Sequence, residues 1–282
     1  VEQQSDILRP QQKVASWQAI LVLFFFIFAF FPVWRSLINA WSNSEDYSHA
    51  FFIVPISLYL IWIKKGELEQ IPKKISIIGL CFFALSLSIY LVAFIAKIAT
   101  ITATAMVFTI VTLVWTLYGT QVVKLLAFPL FFLFLMVPIP SQIYSAATIP
   151  LQLFVSKVST MLAMAADIPV YREGNVLHLP DRTLQVVEAC SGLRSIISLF
   201  TLSLVFGYLY HSSNITRILL TSTTIPIAVL VNIVRVLTML SAFYFFNLDL
   251  TSGTLHTYFG IIVFLMALAL LYLISRILSQ FK

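Results

Sequence analysis

Long apolar runs dominate this chain, and the first, WQAILVLFFFIFAFFPVW at Trp17–Trp34, contains no charged residue. Crossing a hydrocarbon core of about 30 Å takes roughly 20 helical residues. Backbone groups in lipid must also satisfy their own hydrogen bonds, so runs of this kind fold as helices. Of the 282 residues, 60% are hydrophobic and 10% are charged, whereas soluble domains carry about a quarter charged residues. Lipid is therefore the expected solvent for most of the chain.

Eight spans are expected. After Trp17–Trp34 they fall near Phe51–Ile63, Ile75–Ile95, Ile98–Leu117, Val122–Val137, Ile196–Tyr210, Ile215–Phe246 and Tyr258–Ile277, with Pro226 kinking the long seventh span. The first run is too long for a removable signal and lacks a small-residue cleavage site. Between the fifth and sixth spans, residues 138–188 read differently. SQIYSAATIPLQLFVSKVSTMLAMAAD has helical spacing but is polar enough for an interfacial or partly re-entrant helix. IPVYREGNVLHLPDRTLQVVEA alternates between turn signals, as short strands do. The expected fold class is thus an all-α polytopic membrane protein with a small extracytoplasmic helix and strand element. The expectation is one integral membrane domain over residues 1–282, with a cytoplasmic tail at 1–16 and no C-terminal soluble domain after SRILSQFK.

Charge orients these spans. With the N-terminus in the cytoplasm, the inner segments hold Arg9, Lys13, Lys64, Lys65, Lys73, Lys74, Lys124, Arg217, Arg276 and Lys282. Only Arg35, Lys97, Lys157, Arg172 and Arg182 fall outside, so the positive-inside rule supports cytoplasmic N- and C-termini. The same placement explains the net charge of +6 without nucleic acid, since no basic patch interleaves with aromatic residues. Membrane lipids are the expected partners. The cysteines form neither a CxxC pair nor a zinc-spaced cluster, so no metal or cofactor is expected. Cys81, inside IIGLCFFALSL, reads as a small buried hydrophobe.

Ionisable residues at a membrane edge suggest function. VVEACSGLRS places Cys190 at the outer start of the sixth span, with Arg194 one turn further in. VLVNIVRVL carries Asn232 and Arg235 at the outer end of the seventh, and TSGTLHTYFG carries His256 at the opening of the eighth. All three fall at one face and a similar depth. A helix N-terminus and a nearby cation favour a thiolate. His256 can take the thiol proton and return it to a leaving amine, while Arg235, with Asn232 one turn away, can stabilise an oxyanion. The implied reaction is acyl transfer through a thioester. Each residue also has a plainer reading taken singly: an inert thiol, a snorkelling arginine, an interfacial cap. His178 and His211 read as solvated residues, Arg172, Glu173, Asp181 and Arg182 as a solvated strand surface, and Glu45, Asp46 and His49 as an entrance or an interfacial loop.

EACSGLRS, NIVRV and the later His256 resemble the exosortase/archaeosortase family of membrane cysteine transpeptidases, in its bacterial exosortase branch. YSHAFFIVPISLYLIW, FPLFFLFLMVPIP, the LQ…S pattern at Gln152–Ser156 and the G-x-V-x-x-L-P run from Gly174 extend the likeness over about Asp46–Gly260. The resemblance implies Cys190 as nucleophile, Arg235 as transition-state stabiliser and His256 as acid and base. Glu188, Ser191, Arg194, Asn232, Arg172 and His49 are the expected substrate contacts. Substrates would be exported proteins with a C-terminal Pro-Glu-Pro-like motif, transmembrane helix and basic tail, processed at the periplasmic face of an inner membrane and passed to a lipid or glycan acceptor. Water as acceptor, a non-catalytic scaffold for polysaccharide export, and a transporter are the rival readings. A transporter would need a polar path across the bilayer, whereas these polar residues gather at one face.

Overall fold

The structure, a computed structural model, describes residues 16–180, 182–185, 193–251 and 253–280. The chain divides into two compact units. Residues up to Ser44 together with Ala50–Pro138 form the first, and Glu45–His49 together with Ile139 onward form the second. Among the described residues, six helices are long and apolar enough to cross a membrane, or seven if one bent pair is counted.

In the first unit, α1 (Ser16–Ala29) and α2 (Phe31–Asn43) are bent by 68° where a single straight span was expected. Pro32, in the first turn of α2, lacks the N–H that would bond four residues back and so breaks the run there; α2 then buries Val33, Leu37 and Trp41 along one stripe. The Trp41 indole N–H donates to the Met136 carbonyl, 3.0 Å away. Helix α3 (Ile53–Ile63) follows a 3₁₀ segment at Glu45–Phe52, and the short α4 (Lys65–Gln70) carries the basic loop.

Helices α5 (Ile77–Ile95) and α6 (Ala99–Tyr118) form the most closely joined pair. Gly79, Ser86 and Ala93 recur every seven residues on one helix, and Thr102, Thr109 and Thr116 on the other; all are buried. Small residues allow close helix approach in lipid, where apolar burial gives no drive to associate. A seven-residue repeat keeps such a seam facing its partner. The Ser86 hydroxyl lies 3.2 Å from those of both Thr109 and Thr112. The lipid-facing side carries Phe82, Leu85 and Ile89. Cys81 is exposed there, not buried as expected, because the seam is filled by smaller residues.

The expected fifth span is broken into α7 (Thr120–Leu125), α8 (Ala127–Phe132) and a 3₁₀ turn at Leu133–Met136. It nevertheless travels the length of α6. It leaves from Gly119 at the C-terminal end of that helix and returns to Thr100, whose hydroxyl donates to the Pro138 carbonyl at the other end.

In the second unit, α9 (Ser141–Ala165) is a single 25-residue helix, long and apolar enough to cross, although the least apolar of the six. A three-stranded antiparallel sheet follows: β1 (Tyr171–Glu173), β2 (Val176–His178) and β3 (Thr183–Gln185), paired in that order. The strands form where expected. The Ser156 hydroxyl, midway along α9, donates to the Gly174 carbonyl at the β1–β2 turn, so the hairpin lies back along the second half of the helix. Leu177, Leu179 and Leu184 of the sheet region share a core with Val155 and Ala163 of α9 and with Val236, Met239 and Leu240.

The remaining helices are α10 (Leu193–Tyr210), α11 (Asn214–Ser222), α12 (Thr224–Phe246) and α13 (Gly253–Gln280). The break between α11 and α12 falls at Thr223, one turn before Pro226. Proline lacks the N–H that would bond to the carbonyl four residues back, so the expected distortion lies upstream of it. A second core joins Leu199, Leu220, Ile227, Val231, Val263, Ala267 and Leu271.

Candidate active site

His211, just beyond α10, fixes the levels of the second unit. Its Nε2 lies 2.8 Å from the Ser275 hydroxyl near the end of α13, and it is 3% exposed. The solvated reading of His211 is thereby corrected: it fastens two helices, and the Arg217 Nε–H donates to its carbonyl. Counting back from this contact at 1.5 Å per residue, Leu193 at the start of α10 reaches the level of Thr257 on α13. The start of α10 and the opening of α13 therefore share one end of this unit, and the contact of Arg235 with His256 brings the middle of α12 to the same level.

At that end Arg235 and His256 meet. The Arg235 Nη2–H donates to His256 Nε2 at 3.3 Å. His256 Nδ1 lies 2.9 Å from the Leu250 carbonyl. A carbonyl only accepts, so Nδ1 carries the proton and Nε2 of the neutral ring presents a lone pair. The Arg235 Nε–H is buried and has no hydrogen-bond partner among the described residues. An orphaned guanidinium N–H beside an imidazole lone pair offers a donor for developing negative charge next to a base. Gly260, one turn after His256, gives the guanidinium room: a Cβ built there lies 3.8 Å from Nη2.

Asn232 is buried at 6% exposure one turn from Arg235. Arg172 is not drawn to the pair: its guanidinium donates to the Gly174 carbonyl of its own hairpin at 2.8 Å. His49 Nδ1 lies 3.1 Å from the Asp46 carbonyl, with the Tyr47 ring alongside. Arg194 stands in the first turn of α10. Glu188, Cys190 and Ser191, with Asp181, lie outside the described residues.

The sequence reading missed the loop that holds His256. Asp249 accepts from both the backbone N–H and the hydroxyl of Thr251, at 2.8 and 2.6 Å. These bonds, the hydroxyl's foremost, hold its carboxyl below the usual range, with Arg182 adding to the effect. Arg182 is exposed, as expected of a solvated strand surface, and it also pairs with Asp249 and lies over the Phe243 ring, linking sheet to loop. A 90 Å³ cavity between sheet and loop is bordered by Arg182, Leu184, Phe243, Asp249 and Thr251. The detectable signal was Asp-x-Thr ahead of a helix, a pattern in which the acid caps a turn. His178, read as solvated, is about one-third exposed: Tyr171 stacks on it, Nδ1 meets the Thr183 hydroxyl and Nε2 faces Glu173. A larger open groove beside it, near Val170 and Leu179, does not include Arg235 or His256.

Comparison with curated proteins and with solved structures returned no match. The family model described as transmembrane exosortase matches residues 41–273, which includes Cys190, Arg235 and His256. The chain belongs to the transmembrane exosortase family.

Proposed function

We propose that this membrane protein is a cysteine transpeptidase that cleaves a C-terminal sorting signal from exported proteins. The observation that carries the reading is the Arg235–His256 pair, with its imidazole lone pair and its unsatisfied guanidinium N–H. In the proposed reaction, the Arg235 Nη2–H turns from His256 Nε2 towards the scissile carbonyl, and the freed lone pair takes the proton of the Cys190 thiol as sulfur attacks. Arg235 donates to the oxyanion. His256 then protonates the leaving amine and a thioester remains, which an acceptor nucleophile resolves. Covalent reach supports the assignment. Cys190 is three residues before Leu193 in the sequence, and Leu193 stands at the level of Thr257. Glu188, Ser191, Arg194 and Asn232 belong to the same reading as substrate contacts, with Arg172 and His49 as outlying ones.

The reaction end faces the periplasm from an inner membrane in this proposal, with the β1–β3 sheet on the extracytoplasmic side. The distribution of Lys and Arg supports that orientation, as does the polar hairpin folded back on α9. A substrate helix entering from the bilayer would present its Pro-Glu-Pro-like segment just beyond its own end, at the depth of the pair. The product passes to a lipid or glycan acceptor, or to water.

The test is processing, in membranes, of a tagged protein bearing the tripartite signal. Wild type is expected to cleave it and to form a trappable covalent adduct. Cys190→Ala and Cys190→Ser, at normal abundance, are expected to do neither. Unchanged processing in both would refute the assignment and favour a scaffold or transporter.

A further inference from the structure

The peptide unit between Leu250 and Thr251 is bonded on both edges. Its N–H, on Thr251, donates to Asp249 Oδ1 at 2.8 Å. Its C=O, on Leu250, accepts from His256 Nδ1 at 2.9 Å. A trans peptide is planar, with N–H and C=O pointing in opposite directions, and the described chain contains no cis bonds. Whatever holds the N–H therefore aims the carbonyl. Asp249 is itself held from two sides, by the Thr251 hydroxyl on Oδ1 and by Arg182 on Oδ2. Arg182 enters β3 and rests on Phe243 of α12, the helix that carries Arg235.

We propose that Asp249 is a positioning residue, locked by Thr251 and Arg182, which aims the Leu250 carbonyl and so fixes the Nδ1–H tautomer of His256. The proposal rests on the assignment of His256 as acid and base. The chain of causes runs in one direction. Arg182 anchors the carboxylate to the sheet and the carboxylate orients one peptide plane; that plane's carbonyl accepts from Nδ1 while Arg235 donates to Nε2, and the two contacts together select which imidazole nitrogen is protonated. With Nδ1 protonated, Nε2 is the basic nitrogen and faces Arg235. Without the lock the loop carbonyl is free to turn towards water. The ring then exchanges between tautomers, and in one of them Nε2 carries a proton and is useless as a base. Asp249 touches neither substrate nor thiol in this scheme, so its effect is on turnover and not on substrate affinity.

The test uses the full-length protein in membranes and in detergent, with two readouts. The first is cleavage of the tagged substrate, resolved into kcat and KM. The second is the ¹⁵N spectrum of protein labelled at its four histidines, with the His256 signals identified by their loss in His256→Gln. Asp249→Asn retains the Oδ1 acceptor for Thr251 but loses the ion pair to Arg182, so it is expected to show the Asp249→Ala pattern at smaller amplitude. Asp249→Ala removes both. It is expected to lower kcat by about tenfold to hundredfold at constant KM, the usual scale for losing a group that orients a reacting one, and to show mixed tautomers. Should Asp249→Ala fail to accumulate, Thr251→Val removes one bond to Oδ1 and is expected to show the same pattern at smaller amplitude. An Asp249→Ala protein with wild-type kcat and an unchanged His256 spectrum, or a Thr251→Val protein with neither change, would overturn the proposal. The spectrum does not depend on turnover. If Cys190→Ala still processes substrate, the catalytic reading has failed by itself, and the tautomer result still decides the role of Asp249.

Discussion

Gly260 allows the guanidinium of Arg235 to be displaced without altering either partner in the pair. A Cβ at this position would lie 3.8 Å from Arg235 Nη2, an ordinary van der Waals distance. Gly260→Ala therefore adds a carbon beside the guanidinium without moving it. It also removes a helix-interior glycine, for a gain of up to about 1 kcal/mol, so Tm is expected to rise by about 2–4 °C. Gly260→Leu behaves differently. On a helix, the allowed rotamers of a long side chain lean over the preceding turn. That turn carries His256, and the space above it holds Nη2. Either the new side chain strains or the guanidinium leaves the imidazole. Loss of one preorganised oxyanion donor costs about 10²–10³ in kcat, or roughly 2.7–4 kcal/mol. The assay is the initial rate of cleavage of a tagged substrate in membranes, normalised to enzyme abundance, with Tm measured on the same variants in detergent. Gly260→Ala should be as active as wild type and Gly260→Leu nearly inactive while still folded. If Gly260→Leu cleaves as fast as Gly260→Ala, the guanidinium is not where catalysis needs it, and the reasoning is refuted.

Three further outcomes follow from the same geometry. Arg235→Lys keeps the charge but loses the planar fork and its orphaned Nε–H, so kcat should fall by about 10²–10³ at constant KM; activity equal to wild type would argue against an oxyanion role. Gly79→Ala sets a Cβ 2.8 Å from the Thr116 nitrogen and 2.9 Å from the Trp115 carbonyl carbon. Overpacking of about 1–3 kcal/mol should outweigh the helix gain of about 1 kcal/mol and lower Tm, whereas a rise would show that the α5–α6 seam is looser than described. The Asp249 carboxyl is held below its usual value. Its contribution to loop stability is therefore fully present above the unfolded pKa of about 3.9 and is lost as pH falls through the lower folded value. Limited proteolysis of the Asn247–Thr251 loop should be constant from neutral pH to about 5 and faster only in stronger acid; acceleration between pH 7 and 5 would contradict the assignment.

What was legible in the sequence followed periodicity and charge cost. Apolar runs long enough for lipid marked α5, α6, α12 and α13 closely, because few structures other than a helix satisfy such a backbone in hydrocarbon. Arg235 and His256 stood out because ionisable residues in apolar runs are expensive, and the structure brings them within a hydrogen bond. Less legible were features set by tertiary contact. The seat of α2 after the bend is set by Trp41 finding the Met136 carbonyl, 95 residues away. Burial of His211 depends on Ser275, and Arg182 gains its role only from Asp249. The small-residue heptads of α5 and α6 were present in the sequence as Gly79, Ser86 and Ala93 against Thr102, Thr109 and Thr116. Hydrophobicity alone hides them, because the residues at the seam are among the least apolar of each span.

Those heptads bear on how the protein reaches its membrane. Seam hydroxyls of the α5–α6 hairpin are satisfied within the pair: Ser86 by Phe83, Thr109 and Thr112, and Thr116 by the Thr112 carbonyl. Its lipid side carries Phe82, Leu85 and Ile89, and the exposed Ser88 hydroxyl there donates back to the Ala84 carbonyl. In hydrocarbon a polar group without a partner is a debt that some later segment must settle, and at its seam this hairpin carries none. Translation also delivers it well before α9 and the helices that follow. The hairpin can therefore enter the bilayer as a finished piece while the ribosome is still making α12 and α13. Substitutions along its seam should then register as failures of insertion or accumulation, detectable before any substrate is encountered.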